Sequence, residues 1–136
     1  MADDLLSTFR PAFEAAALAF SEGDLERAVA GLPEDFEWHP LDQDPERAVH
    51  HGPDEAKRWW QRLAAIFDEM RVEVSDIEQL DDRTVLTRYL LRGTSGSAGA
   101  PVSITVFEIW EFEGIRPVRA RQFPSRDEAL RAAHGG

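Results

Sequence analysis

One carboxylate stands out by its position. In the run Val102-Ser103-Ile104-Thr105-Val106-Phe107-Glu108-Ile109-Trp110 the pattern alternates as in a half-buried strand. Glu108 interrupts the apolar file Val102, Ile104, Val106, and Trp110 follows it in the same file. A carboxylate there loses hydration, so its pKa rises unless a cation pairs with it. Arg119 and Arg121, on the next strand-like run, could supply that cation. Two chemistries follow. A Glu–Arg pair satisfies two buried charges and does no work beyond structure. Otherwise Glu108 is a general acid/base, or Arg121 is an anchor for an anionic or carbonyl ligand. His39 is the second group able to exchange protons near neutral pH, its plainer role being a loop histidine bonded to backbone. The four histidines lack metal-ligand spacing such as H-x-x-x-H, and there is no cysteine. No metal site, disulfide or cofactor is expected.

Around these groups the chain carries a large aromatic supply: Trp38, Trp59, Trp60, Tyr89, Trp110 and Phe123. Each such ring buries on the order of 150–250 Å². Most of that area is core packing. The same rings can also wall a pocket for a flat, apolar, even polycyclic ligand, with Trp59, Tyr89 and Trp110 as its sides.

The elements that must position these residues are legible from periodicity and punctuation. Leu5, Leu6, Phe9, Phe13, Ala16, Ala17 and Phe20 repeat at helical spacing, with Pro11 expected in the first turn or at a kink. Gly23 reads as the residue ending that helix, and Asp24 as the N-cap of a short second helix closed by Pro33. Asp35 to Trp38 looks like a short strand, leading into a polar, proline-containing stretch from Pro40 to His51 with His50 and His51 exposed. Gly52-Pro53-Asp54-Glu55 opens a third helix with apolar positions at Ala56, Trp59, Trp60, Leu63, Ile66 and Phe67. From Arg71 the period becomes two, giving strand-like runs at 72–80, 84–92, 102–112 and 115–123. Asp81-Asp82 and Glu113-Gly114 are tight turns, and Gly93 to Pro101 is a longer, flexible hairpin loop. Ser125 and Glu128 form a capping-box pattern at the start of a last short helix. Strands joined by short turns require an antiparallel sheet, and the helices before them must cover one of its faces: an α+β fold.

At 136 residues, 43% hydrophobic and 30% charged, the chain has ordinary globular composition and the length of one domain, spanning 1–136. Its net charge of −11, from 26 acidic and 15 basic residues, would repel a phosphate backbone, so no nucleic-acid partner is expected. The N-terminus Met1-Ala2-Asp3-Asp4 has no basic region and no long apolar run, so neither signal peptide nor membrane span is expected, and a cytoplasmic location suits the absence of cysteine.

The element order, together with Glu22-Gly23-Asp24-Leu25, Glu37-Trp38-His39-Pro40, Gly52, Arg92-Gly93-Thr94-Ser95-Gly96, Phe107-Glu108-Ile109-Trp110, and Phe123 before Glu128-Ala129-Leu130, resembles the nuclear transport factor 2-like superfamily and specifically its SnoaL-like branch. The resemblance covers nearly the whole chain. It implies a cone-shaped α+β barrel, a strongly bent antiparallel sheet roofed by helices around a pocket. It also implies which face lines the cone: Val85, Thr87, Tyr89 and Leu91; Val102 to Trp110 in alternation, Glu108 included; and Arg119, Arg121 and Phe123. Leu86, Leu90, Phe107 and Ile109 would then form an apolar outer face, which a homodimer would cover. The superfamily holds isomerases, cyclases, dehydratases, epoxide hydrolases and non-catalytic binders, so fold leaves function open. The resemblance places His39 near the base position of the isomerase-like members, where their pattern has Asp; Ala16 stands where they carry a tyrosine, and the two acids bridged by arginine of limonene epoxide hydrolases are not visible. Two functions are therefore expected. One is a small-molecule-binding domain with Trp38, Trp59, Trp60, Tyr89, Trp110, Arg119, Arg121 and Phe123 as ligand contacts. The other is an isomerase, cyclase or dehydratase using Glu108 or His39 for proton transfer.

Overall fold

Among the described residues six strands form one sheet in the spatial order β2-β1-β6-β5-β4-β3, and four helices pack on it. The computed structural model describes residues 2–40, 49–95 and 99–134. Most of the polar stretch after Pro40 and the tip of the glycine-rich hairpin loop lie outside them. The strands are β1 (Glu37–His39), β2 (His50–His51), β3 (Asp68–Asp81), β4 (Thr84–Ser95), β5 (Ala100–Glu113) and β6 (Arg116–Phe123). The helices are α1 (Ala2–Ser21), α2 (Leu25–Val29), α3 (Gly52–Ile66) and α4 (Arg126–His134).

The helix boundaries follow local chemistry. Gly23 takes φ +82°, and the Asp24 side chain accepts the Arg27 N–H at 3.1 Å to start α2. Pro53 opens α3 beside Asp54 and Glu55, and Ser125 accepts the Glu128 N–H at 3.2 Å to cap α4. Pro11 falls well inside α1 rather than in its first turn. Gly52 is needed where it stands. Its φ is +76°, its N–H donates to Phe36 O at 2.8 Å, and a Cβ there would lie 2.7 Å from the Glu34 carbonyl oxygen.

β3 to β6 form an antiparallel meander, as the short turns require, but β1 joins β6 in parallel through Glu37–Arg119, Trp38–Ala120 and His39–Arg121. His50 and His51 extend the edge by pairing with Trp38 and Glu37, so they belong to a short strand; His51 is exposed and His50 half-buried. Three register shifts interrupt β3 against β4 and one interrupts β5 against β6. Each adds local bend and twist, and the sheet is curved and unclosed.

α1 to α3 cover the concave face. Leu5 and Phe9 pack with Ile77, Val85 and Phe112, while Val29, Phe36, Trp38, Ala56 and Ala120 form a second cluster beside them. α4 takes the opposite side: Ala129, with Leu130 and Ala133, covers Leu86, Ile109, Phe107 and Phe123. The apolar outer face read from the strands is thus buried in good part by the chain's own last helix, with Leu86 and Ile109 almost wholly inside. Among the described residues, no helix is long and apolar enough to cross a membrane.

Candidate functional site

The concave face and its helical roof do not fill the space between them. A cavity of about 100 Å³ remains. Its walls come from α1 (Phe13, Ala16, Ala17, Phe20), α2 and the turn after it (Ala28, Val29, Leu32), and Phe36. Trp38, Ala56, Trp60, Val72, Tyr89, Glu108 and Trp110 close it. Four of these residues are alanines on three helices, at places where a longer side chain would take up the room. Small residues on the helices facing large rings on the sheet leave a hollow that neither can close.

Among the described residues Glu108 is the one carboxylate in this wall, 2% exposed. Its Oε2 accepts from Tyr89 Oη at 2.6 Å and from Gln122 Nε2 at 3.1 Å. Its Oε1 accepts from Trp110 Nε1 at 2.8 Å and, at the long distance of 3.4 Å, from Thr87 Oγ1. Gln122 Nε2 also donates to Tyr89 Oη at 2.8 Å, which holds the phenol against the carboxylate. Alternation along β4 and β5 explains most of this: Thr87 and Tyr89 face inward beside Glu108 and Val106 in the ladder, and Trp110 is two residues on in the same file.

Burial pushes the Glu108 carboxyl above the usual carboxylate range, and the four donors only partly pull it back. Burial and the neighbouring carboxylate together push the Tyr89 phenol well above its ordinary value. An ionised carboxylate has about four acceptor sites, and four donors occupy them here. The site is therefore a buried acid held by neutral donors.

The expected arginine partners lie elsewhere. Glu108 pairs with Gln122 across β5–β6, and Trp110 with Ala120, so Ala120 and Gln122 face inward while Arg119, Arg121 and Phe123 face outward. The assignment of these three residues to the cone's interior is corrected by one residue of register. The β5–β6 hairpin begins with Glu113–Arg116 and Phe112–Pro117, and an unbroken ladder from there would set Arg119 opposite Trp110 and Arg121 opposite Glu108. A bulge that leaves Val118 without a partner shifts the pairing and turns both guanidiniums over. Proline cannot donate to the ladder and is tolerated beside such bulges, so Pro117 was the available signal in the sequence.

On the outer side Arg119 makes a bidentate pair with Glu111, at 2.6 and 2.7 Å, and Arg121 Nη2 reaches the same carboxylate at 3.2 Å. Burial alone would raise the Glu111 pKa, but the hydrogen bonds and charge of the two arginines hold it below the ordinary value. Burial holds Arg121 below its usual value despite this pair, and its guanidinium carbon lies 5.8 Å from the Phe123 ring centre. His39 is on that side too. It alternates with the inward Trp38 and meets Glu37, Nε2 to Oε1 at 3.1 Å, outside the cavity wall. The structure thus separates the two acid/base candidates: Glu108 lies inside and His39 outside.

Of the expected aromatic contacts, Trp38, Trp60, Tyr89 and Trp110 reach the cavity. Trp59 stands behind them, stacked edge-on against Trp60 at 4.9 Å and Trp38 at 5.6 Å between ring centres. Gln122 and the helix residues of the wall other than Trp60 were not legible as contacts in the sequence, because polar residues on strands and alanines and core rings on helices carry no chemical signature by themselves. Among the described residues no group of three or more His, Cys, Asp or Glu side chains could hold a metal ion.

Comparison with known proteins agrees with this architecture. IdmH from Streptomyces antibioticus, provisionally assigned as a polyketide cyclase, is 24% identical, with a TM-score of 0.68 over 93% of this chain and 98% of its own. An NTF2-like protein of unknown function from Burkholderia pseudomallei is 21% identical, with a TM-score of 0.70 over 90% and 94%. RV0760c from Mycobacterium tuberculosis, solved with estradiol-17beta-hemisuccinate, is 11% identical, with a TM-score of 0.66 over 85% and 92%. At these identities the likeness is one of fold. Among curated proteins none matches the chain. The SnoaL-like domain pattern matches residues 13–120, most of the length and all of the cavity wall. The chain belongs to the family of SnoaL-like domains.

Proposed function

We propose that this domain binds a small, apolar ring compound in the cavity between its first three helices and the sheet. One observation carries the reading: a hollow walled by Phe13, Phe20, Phe36, Trp38, Trp60 and Trp110 has, among the described residues, a single carboxylate, Glu108, at its sheet side. Apolar walls with a few convergent polar groups are the general form of a small-molecule site. At about 100 Å³ the space suits one ring; a hollow of about 150 Å³ accepts benzene. A polycyclic ligand would have to part the helices from the sheet. The complex of RV0760c with estradiol-17beta-hemisuccinate supports ligand binding by this fold and is not carried over as a ligand.

A second reading has its own support. Glu108 is buried with no cation beside it among the described residues and holds its proton to higher pH than an ordinary carboxyl, which is the condition for acid/base work near neutrality. On that reading the domain is an isomerase-, cyclase- or dehydratase-type enzyme and Glu108 moves the proton. His39, on the outer side, contributes nothing to it.

The test is direct because three tryptophans line the cavity. Titration with single-ring hydrocarbons and ketones should quench or shift tryptophan emission in a saturable way, and Ala28→Leu should abolish the response. An unsaturable response, or one untouched by filling the cavity, refutes the binding reading. Base-type chemistry would show as deuterium exchange next to a ring carbonyl that Glu108→Gln removes. The charge balance and the outward arginine pairs favour a small-molecule partner over nucleic acid. With α4 on the outer face, a homodimer has less apolar surface to cover than the strands alone suggest. Sedimentation at high concentration decides between monomer and dimer.

A further inference from the structure

One stretch of the sheet has a strand on one side only. β6 follows β5 as far as Phe107–Phe123, where Pro124 ends the ladder and the chain turns into α4. β5 runs on beside β4 to the Ser95–Ala100 pair, so among the described residues 100–106 face no strand across their other edge. Ser103 and Thr105 are exposed there, and Ile104 is 39% exposed. The ladder fixes where the backbone groups point. Phe112 N–H donates to the Arg83 carbonyl at 2.8 Å, directly opposite, and the β4–β5 register then continues in step without a bulge. Even-numbered residues of β5 therefore turn N–H and C=O toward β4, and odd-numbered ones turn them away. The free edge presents both groups of Ser103 and Thr105, and Pro101 adds a carbonyl alone. Natural sheets guard such an edge with lysine, a bulge or proline. Here only Pro101 stands guard, at one end, and no charged residue occurs from Gly93 to Phe107, the longest such run in a chain that is 30% charged.

We propose that this edge joins two copies of the chain, β5 pairing antiparallel with β5 of a second copy about a two-fold axis at Ile104. Two features select a second copy as the occupant. The first is that the edge is complementary to itself. With Ile104 opposite Ile104, the Ser103 of each copy meets the Thr105 of the other, and every edge-facing N–H and C=O of those residues finds its partner. The seam stops there, because Pro101 has no N–H and Phe107 already pairs with Phe123. Ile104 would meet its own counterpart in the closer type of pair, which covers an isoleucine now exposed. The second feature is charge. Two chains of net charge −11 repel one another, and the uncharged run is where they can touch with least repulsion. The seam is short, so the dimer forms at high concentration, and salt that screens the repulsion strengthens it.

Sedimentation equilibrium up to about 1 mM protein reads the association of the wild type, Ile104→Lys and Ile104→Glu. Each variant alone sets like charges opposite one another at the axis and should associate on the order of tenfold more weakly than the wild type. An equimolar mixture of the two variants sets opposite charges there and should restore association, which proteins that had merely lost their fold would not do. Amide exchange gives a second reading on the wild type, since protection of Ser103 and Thr105 should rise with protein concentration. A wild type that stays monomeric overturns the proposal, as do variants that associate as tightly as it does or a mixture no tighter than its parts. Protection that is the same at every concentration also overturns it, because the edge is then covered within one chain.

Discussion

Replacing Glu108 by glutamine should destabilise the domain by an amount that depends on pH in a defined direction. The glutamine amide nitrogen must occupy one of the two positions held by carboxylate oxygens. At Oε1 it meets the indole N–H of Trp110, and at Oε2 it meets the amide of Gln122, both of which only donate there. Either orientation leaves a buried donor without its acceptor, at about 1–3 kcal/mol. A protonated carboxyl avoids this, because each oxygen still offers a lone pair. The wild type therefore holds its largest advantage near and below pH 4.5, where Glu108 is neutral folded or unfolded. Above that value the unfolded chain gives up its proton while the folded one, whose pKa is raised by burial, keeps it. The unfolded state then binds fewer protons, so stability falls by about 1.4 kcal/mol for each pH unit until the folded carboxyl itself ionises. Glu111, Asp81 and Glu55 have lowered pKa values and act below the ordinary carboxylate range; they also cancel in the comparison of variant with parent. Urea unfolding of both proteins at half-unit steps from pH 4.5 to 7.5 measures the gap directly. A gap that narrows with rising pH is expected. A gap that is flat or widens would mean that the four donors outweigh burial, and the view of Glu108 as a proton-retaining acid would be wrong.

Three further outcomes follow from the geometry. Gly52→Ala should cost about 1–3 kcal/mol from its left-handed backbone alone, and more from the 2.7 Å approach to the Glu34 carbonyl, seen as a lower urea midpoint with an unchanged slope. Ala28→Leu should remove ligand response while changing stability by only about 1 kcal/mol, because added apolar contact and crowding oppose one another in a space of about 100 Å³; calorimetry with and without cyclohexanone reads both. Arg119→Ala should cost about 1 kcal/mol by loss of its half-buried pair with Glu111, and His39→Ala less, with ligand affinity within twofold of wild type in both. A larger affinity loss in either would put the outer face in the site.

The sequence was legible wherever one local rule decided the outcome. Asp24, Gly52-Pro53 and Ser125 with Glu128 marked helix ends because capping is a matter of a few adjacent residues. Alternation in β4 and β5 put Tyr89 and Glu108 on one face because side-chain direction there follows a strict period of two. What failed depended on contacts between distant segments. The parallel pairing of β1 with β6 joins Trp38 to Ala120, and no periodicity within either segment announces a partner so far along the chain. The helix that covers Leu86 and Ile109 could be recognised as a helix but not as their cover. Likewise Ala16, Ala17, Ala28 and Ala56 read as ordinary helix formers, and only their convergence on one hollow makes them part of a site.

The register of β6 shows how far one residue can carry. With the ladder unbroken from the β5–β6 hairpin, Arg121 would stand opposite Glu108 inside the cone, Arg119 would face the cavity beside Trp110, and Gln122 would point outward. Such a cavity would hold a neutralised carboxylate and a second guanidinium, a site built for an anion. The bulge at Val118 exchanges that arrangement for Ala120 and Gln122 within, and hands both arginines to Glu111 outside. Three properties then follow together from a single backbone irregularity. The acid is left to neutral donors and its pKa rises; the cavity turns uncharged save for that acid; and the outer face gains an ion cluster next to the apolar patch that α4 covers. The chemistry of the pocket is thus decided less by which residues the strand contains than by the parity with which they enter the sheet.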